Sequence, residues 1–181
     1  MTLKKEKMLH RKTVYEGKML HVYYDDVEIG GRRAWREVVL HPGAAAVIPI
    51  TEDGQILFVR QYRYAVEKSL LEIPAGKMDA GETAEECASR ELTEETGYRA
   101  GRLVHLGDTL TSPGFCNEVI HLYLADHLIP AHQHLDPDEY LDVVAVPLDT
   151  AWQHIRQGMI QDAKTLAAFA IAGERIRPAL D

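Results

Sequence analysis

The chain has 181 residues, 46% of them hydrophobic and 27% charged, with 28 acidic against 20 basic side chains and a net charge of −8 at pH 7. That length suits one domain with a full core, and the acidic balance without a basic patch excludes a nucleic-acid backbone as the main partner. Cys87 and Cys116, without C-x-x-C spacing, read as reduced thiols in a cytoplasmic setting; MTLKKEKMLHRK leads into no apolar core, so it is no signal peptide, and the longest apolar run, 44–50, is too short to span a membrane.

Taken in chain order, LHVYYDDVE (20–28) is strand-like, and Gly30-Gly31 turns it into a second strand at about 34–40. His41-Pro42-Gly43 breaks the chain. Segments 44–51 and 55–62 are predicted to form a hairpin across Glu52-Asp53-Gly54. Thr83 with Glu86 makes a capping box, and Gly97 supplies a left-handed stop, so one helix is expected over 84–96. Strands follow near 102–110, 118–125 and 142–147. Two helices close the chain at 149–157 and 162–175, with Gly158 between them. Strands on both sides of one central helix, with helices at the end, predict an α/β (α+β) fold in which a mixed sheet packs between helices.

The central helix carries an unusual face. Ala84, Ala88 and Leu92 share one stripe with Cys87 at its edge, and Glu91 and Glu95 project into that stripe while Glu94 flanks it. Ser89, Thr93 and Glu86 lie on the opposite side. An acidic, solvated helix is one reading. Against it, the acids sit on the apolar arc, and no Lys follows at helical spacing to relieve their repulsion. Clustered carboxylates on such a face call for a cation, and hard oxygen ligands suit Mg²⁺ or Mn²⁺ rather than zinc. Arg90, one turn from Glu86 and from Glu94, is placed to orient carboxylates. Gly76 and Gly81 bracket a loop that must bend tightly and bring backbone near the ion. His132 and His134, in a Pro-rich loop, read as solvated. Nucleophile elbow, Walker loop and dinucleotide fingerprint are all missing from the sequence.

Residues 76–98 read GKMDAGETAEECASRELTEETGY. Gly76, Glu82, Arg90-Glu91, Leu92, Glu94-Glu95, Gly97 and Tyr98 fall on every fixed position of G-x5-E-x7-R-E-U-x-E-E-x-G-U, and on that motif the chain resembles the Nudix hydrolase family. The resemblance implies metal-assisted attack of water on a diphosphate linkage and a Nudix α/β/α sandwich over 43–181, preceded by a strand module at 1–42. It also implies a metal site made by the Ala75 carbonyl, Glu91 and Glu95, with Glu94 as a further ligand or supporting acid.

Beyond the motif, HPGAAAVIPI, VRQYRYAVEKSLLEIPAGK, TSPGFCNEVIHLYLA, DPDEYLDVVAVPL and DAKTLAAFAIA are similar to the ADP-ribose pyrophosphatase branch over nearly the whole length. In that branch a proline lies about sixteen residues past the closing glycine, and Pro113 is sixteen past Gly97. Carried over, Arg63 matches a position that contacts the substrate phosphates or terminal ribose, with an edge-strand surface charge as the other reading. Glu72 matches an acid near adenine or ribose, or else makes a structural salt bridge. Trp35, flanked by Arg33 and Arg36, either stacks on adenine or fills a core; Arg36 replaces an acidic neighbour found in relatives. Glu139 in DPDEY aligns with the loop acid that positions the attacking water, with Asp136 and Asp138 close enough to compete for that role.

The resemblance therefore implies catalytic roles for Glu139, Glu95 and Glu91 in a Mg²⁺-dependent hydrolase that splits ADP-ribose into AMP and ribose 5-phosphate. The alternatives are a nucleotide sugar or dinucleoside polyphosphate as substrate, or a non-catalytic ADP-ribose sensor. It further implies a homodimer whose N-terminal module completes the adenine site.

Overall fold

Alternation and two glycines organise the first strands. In the computed structural model, which describes residues 3–176, β1 (Glu6–Glu16), β2 (His21–Ile29) and β3 (Arg32–Leu40) form an antiparallel sheet in that order. Ile29 pairs with Arg32, so Gly30 (φ 59°) and Gly31 (φ 80°) make a two-residue turn that other residues adopt with difficulty. β1 had no counterpart among the expected strands. Every one of its residues is exposed, so it carries no buried face for a sequence pattern to report. It is held by its partner: Arg11 donates Nε to Asp25 Oδ1 (2.8 Å) and Nη2 to Asp25 Oδ2 (2.6 Å), and its guanidinium lies 4.5 Å from the Tyr23 ring centroid. This compact unit takes in residues up to Gly43 together with Leu110–Val119.

The second unit comprises, among the described residues, Ala44–Thr109 and 120–176. Its strands are β4 (Ala44–Pro49), β5 (Gln55–Arg63), β6 (Lys68–Glu72), β7 (Ala75–Lys77), β8 (Tyr98–Arg99), β9 (Arg102–Leu110), β10 (Val119–Asp126), β11 (Ile129–Pro130) and β12 (Leu141–Pro147). Its helices are α1 (Ala84–Thr96), α2 (Leu148–Arg156) and α3 (Ala163–Ala172). One sheet runs β7-β4-β10-β9, a second β12-β5-β6, and β11 pairs with β8. β4 and β10 are parallel, and β4 and β7 antiparallel. The fold is mixed α+β, as the order of elements predicted.

The expected hairpin of β4 and β5 is corrected. The turn forms, with Thr51 N–H donating to the Gln55 carbonyl at 2.9 Å and an isolated bridge at Ile50 and Ile56. Beyond it the two strands enter different sheets. The cause is burial on both faces of β4: Ala44, Ala46 and Ile48 belong to one core cluster, and Ala45 and Val47 to the other. A strand buried on both faces reads as a continuous apolar run and takes a central position. Both edges of β4 are occupied by β7 and β10, so β5 pairs elsewhere.

Two cores result. Cys87, Ala88 and Leu92 of α1 pack on Ala45, Val47, Tyr123 and Ala125, and the opposite face of the sheet meets Phe58, Val146, Ala151, Ala168 and Phe169 from the second sheet, α2 and α3. Helix α3 stops at Ala172, followed by a 3-10 turn at Gly173–Ile176, slightly short of the single helix expected to Arg175. Among the described residues no helix is long and apolar enough to cross a membrane.

Candidate functional site

Local chemistry fixes α1 at both ends. Thr83 Oγ1 accepts the Glu86 N–H at 3.2 Å while Glu86 Oε2 accepts the Thr83 N–H at 2.9 Å, and Gly97 (φ 74°) closes the helix on the Thr93 carbonyl at 2.9 Å. With its ends set, the helix points Glu95 inward, leaving it 2% exposed. Glu95 Oε2 accepts one hydrogen bond, from Ala75 N–H at 3.0 Å, and among the described residues no Lys or Arg lies within ion-pair distance of it. Burial, then the charges of Glu91 and Glu139, push its carboxyl up to about 8. Burial also raises Glu91, against the pull of Arg90 and with Glu94 and Glu139 adding repulsion. Glu91, Glu95 and Glu139 thus act on one another as like charges in one place.

Arg90 organises the outer side of this cluster. It donates Nε and Nη2 to the two oxygens of Glu82 (2.8 and 2.9 Å), Nη1 to Glu91 Oε1 (2.5 Å) and to Glu94 Oε2 (2.9 Å), and Nη2 to the Lys77 carbonyl (3.1 Å). Glu86, occupied in the capping box, is not a partner. The hydrogen bonds from Arg90 outweigh burial and hold the Glu82 carboxyl at about 2, so Glu82 anchors Arg90 in a fixed ionised pair. Gly76 leaves room for Glu91, because a Cβ there would lie 1.8 Å from Glu91 Oε1. Burial pushes the Cys87 thiol up to about 12, an unreactive packing residue.

Glu139 arrives from the loop before β12. That loop is tied to the C-terminal end of α1 through Ala131 N–H to the Gly97 carbonyl (2.7 Å), Gln133 Nε2 to the Glu95 carbonyl (2.6 Å) and His134 N–H to the Glu94 carbonyl (3.1 Å). Glu139 Oε1 accepts Gln61 Nε2 at 3.2 Å, while Gln61 Oε1 is buried without a partner among the described residues. Asp136 and Asp138 are exposed, and the Asp136 carbonyl accepts the Glu139 N–H at 2.9 Å. His132 and His134 are also exposed, with ring centroids 6.4 Å apart.

Arg63 and Glu72 meet each other. Arg63 donates Nε to Glu72 Oε1 and Nη2 to Oε2, both at 2.8 Å, and Lys164 of α3 makes a third bond to Glu72. Burial opposes ionisation, but the Arg63 hydrogen bonds and the Lys164 charge prevail and hold the Glu72 carboxyl at about 2. Sequence reasoning singled out neither Lys164 nor Gln61. Both contact a predicted site residue, but only across long stretches of chain.

In the other unit Trp35 is 57% exposed, which removes the core reading, and it stacks on Tyr24 with centroids 5.8 Å apart and planes 14° apart. It lines an open depression of about 600 Å³ with Arg33, Arg36, Gly114 and Phe115. Pro113 lies in the turn that delivers Gly114 and Phe115, closed by Phe115 N–H to the Ser112 carbonyl at 3.0 Å and joined to β3 by Val39 N–H to the Phe115 carbonyl at 2.7 Å. The TSPGF segment and Trp35 therefore share one surface. Arg36 donates to the Trp35 carbonyl at 2.7 Å and pairs with Glu6.

The NUDIX domain family matches residues 40–169. The chain is 40% identical over 178 residues to an ADP-ribose pyrophosphatase of Bacillus subtilis (strain 168), covering 97% of this chain and 95% of that protein. It is 44% identical over 166 residues to a methanol dehydrogenase activator of Bacillus methanolicus, covering 90% of each. Among solved structures, an ADP compounds hydrolase superposes with a TM-score of 0.85 at 27% identity, covering 95% of this chain and 94% of that one.

Proposed function

The chain belongs to the NUDIX domain family, whose hydrolases depend on divalent metals, and from that premise we propose that it hydrolyses the diphosphate bond of ADP-ribose to AMP and ribose 5-phosphate with Mg²⁺. The observation that carries this reading is Glu95, buried with one hydrogen bond and pushed up to about 8 beside Glu91 and Glu139. Such a group either keeps a proton or shares a cation. A hard divalent ion fits an all-carboxylate donor set. Glu91, Glu95 and the Ala75 carbonyl would hold it, with Glu94 as a further ligand. When bound, the ion polarises phosphoryl oxygens and lowers the pKa of a water. Retention of all these carboxylates argues against a non-catalytic sensor.

The chain's own groups do the rest. Glu139, with Oε1 engaged by Gln61, takes the proton of the attacking water on Oε2. Arg63 binds phosphate oxygens through Nη1 and the second Nη2 hydrogen, the edge of its guanidinium that Glu72 leaves open while holding Nε and Nη2 in place. Trp35 offers a face for the adenine base, beside Pro113 and Arg36. The exposed apolar residues of β1, Met8, Leu9, Val14 and Tyr15, fit the self-complementary surface of a C2 homodimer. Free Cys87 and Cys116 fit a cytoplasmic setting.

A phosphate-release assay with product identification tests the substrate. ADP-ribose, a nucleotide sugar and a dinucleoside polyphosphate are compared with and without Mg²⁺. Preference for either of the latter two redirects the reading within the family, and no turnover of any of them with Mg²⁺ defeats it. Glu139→Gln is expected to lower kcat with little change in Mg²⁺ affinity in the absence of substrate. If Asp138→Asn is the damaging change and Glu139→Gln is neutral, the acid has been misassigned. Trp35→Ala is expected to raise KM by about ten-fold or more, from a base–aromatic stack worth about 1–3 kcal/mol, with a smaller effect on kcat. An unchanged KM removes Trp35 from the substrate site. Light scattering at micromolar concentration is expected to report a dimer, and a monomer there contradicts that assembly.

A further inference from the structure

Strands β9 and β10 carry a second set of ligand atoms, distinct in chemistry from the glutamates. His105, Asp108 and His121 each offer one atom, all within 4.8 Å of one another, the one such group of His, Cys, Asp or Glu found among the described residues. Residues three apart on a regular strand point to opposite faces, yet Asp108 Oδ1 lies 2.8 Å from His105 Nε2. Gly107, at φ 156°, stands between them. The same Asp108 oxygen lies 2.8 Å from His121 Nδ1 on the neighbouring strand. Two imidazoles thus converge on one carboxylate oxygen. The Tyr123 ring rests against His105, with centroids 5.2 Å apart.

Without an ion, this arrangement needs both facing ring nitrogens to carry protons toward one oxygen, as two fixed neutral tautomers or as imidazoliums. A metal ion removes that requirement, because each nitrogen then presents a lone pair. The donor set of two imidazole nitrogens and one carboxylate oxygen is that of borderline transition ions, which bind such groups at about 2.0–2.2 Å with water in the open positions. Ligands at that radius stand about 3.4 Å apart in a tetrahedron, so the two 2.8 Å contacts must open by roughly half an ångström. The side chains are 50%, 49% and 25% exposed for His105, Asp108 and His121, free enough to make that adjustment and open enough to admit water ligands. Mg²⁺ prefers hard oxygen and keeps several waters, so it does not compete well here.

We propose that His105, Asp108 and His121 form a binding site for a divalent transition-metal ion of the zinc type. This site shares no residue with the glutamate cluster and is selected by imidazole rather than carboxylate donors. The full chain, in excess Mg²⁺, is titrated with Co²⁺ while its visible d–d absorption is followed, and Zn²⁺ is then added as competitor. One equivalent of Co²⁺ is expected, displaced by Zn²⁺. His105→Gln and His121→Gln are each expected to weaken binding by about 100-fold or more, as loss of a direct ligand should exceed the 10- to 100-fold seen for supporting groups. His132→Gln/His134→Gln and Glu91→Gln/Glu95→Gln should leave it unchanged. Absence of Co²⁺ binding in excess Mg²⁺ would overturn the proposal. So would equal affinity in the parent and His105→Gln/His121→Gln, or loss of the signal in Glu91→Gln/Glu95→Gln with retention in the histidine variants.

Discussion

Glu95→Gln should lower kcat by about 10²-fold or more at saturating metal, the scale of a lost electrostatic contact in a water-poor site. The substitution keeps shape and hydrogen-bonding capacity but removes a charge from a position 2% exposed. Near-normal turnover would refute the assignment. Stability supplies an independent readout. Because the folded carboxyl titrates at about 8, above its ordinary value of 4.5, the native state holds a proton that the unfolded chain releases between those values. The unfolded state binds fewer protons there, so metal-free stability falls as pH rises from about 5 to about 8. In chelator, the parent Tm should decline over that range, and Glu95→Gln should decline less, matching the parent at the acid end and exceeding it at the alkaline end. Mg²⁺ needs the ionised carboxylate, so it should raise the parent Tm more near pH 8 than near pH 5. A parent profile flat in chelator and identical to that of Glu95→Gln would show that the proton is not there.

Gly76→Ala should cost activity on the same scale, about 10²-fold, through a residue that carries no functional group. Its Cβ would sit 1.8 Å from Glu91 Oε1 and 2.0 Å from Glu91 Cδ. The obstructed atoms are the end of a rotatable side chain, so the strand stays and the carboxylate swings away. Tm should change little, and the loss should match that of Glu91→Gln. The double variant should be no worse than either single one, since both remove the same ligand. Additive losses, or full activity in Gly76→Ala, would mean that Glu91 does not act from the position described.

The sequence was most legible where chemistry is local. Thr83, Glu86 and Gly97 mark the ends of α1 within a few residues of themselves, and the phase of Glu91 and Glu95 follows from those ends. It was least legible where partners are remote. β1 shows no periodic signal because none of its residues is buried, and its anchor, Arg11 on Asp25, is fourteen residues away. The Glu52-Asp53-Gly54 turn was read correctly, but the partners of β4 depend on cores on both of its faces, assembled from distant segments. Lys164 reaches Glu72 from 92 residues away, and Gln61 reaches Glu139 across 78. No local pattern reports contacts of that kind. The exposure of Trp35 was equally hidden, since a tryptophan between arginines suits either a core or a platform.

The loop that carries Glu139 is rooted on carbonyls of Glu94, Glu95 and Gly97, the last turn and cap of the helix that presents the other acids. The acid expected to receive the proton and the acids expected to hold the ion thus share one chassis. When thermal motion tilts or slides that helix, both sides of the reacting centre ride with it, and their separation changes less than their positions do. Alignment is kept by common mounting, so the surrounding sheets can breathe without detuning the chemistry.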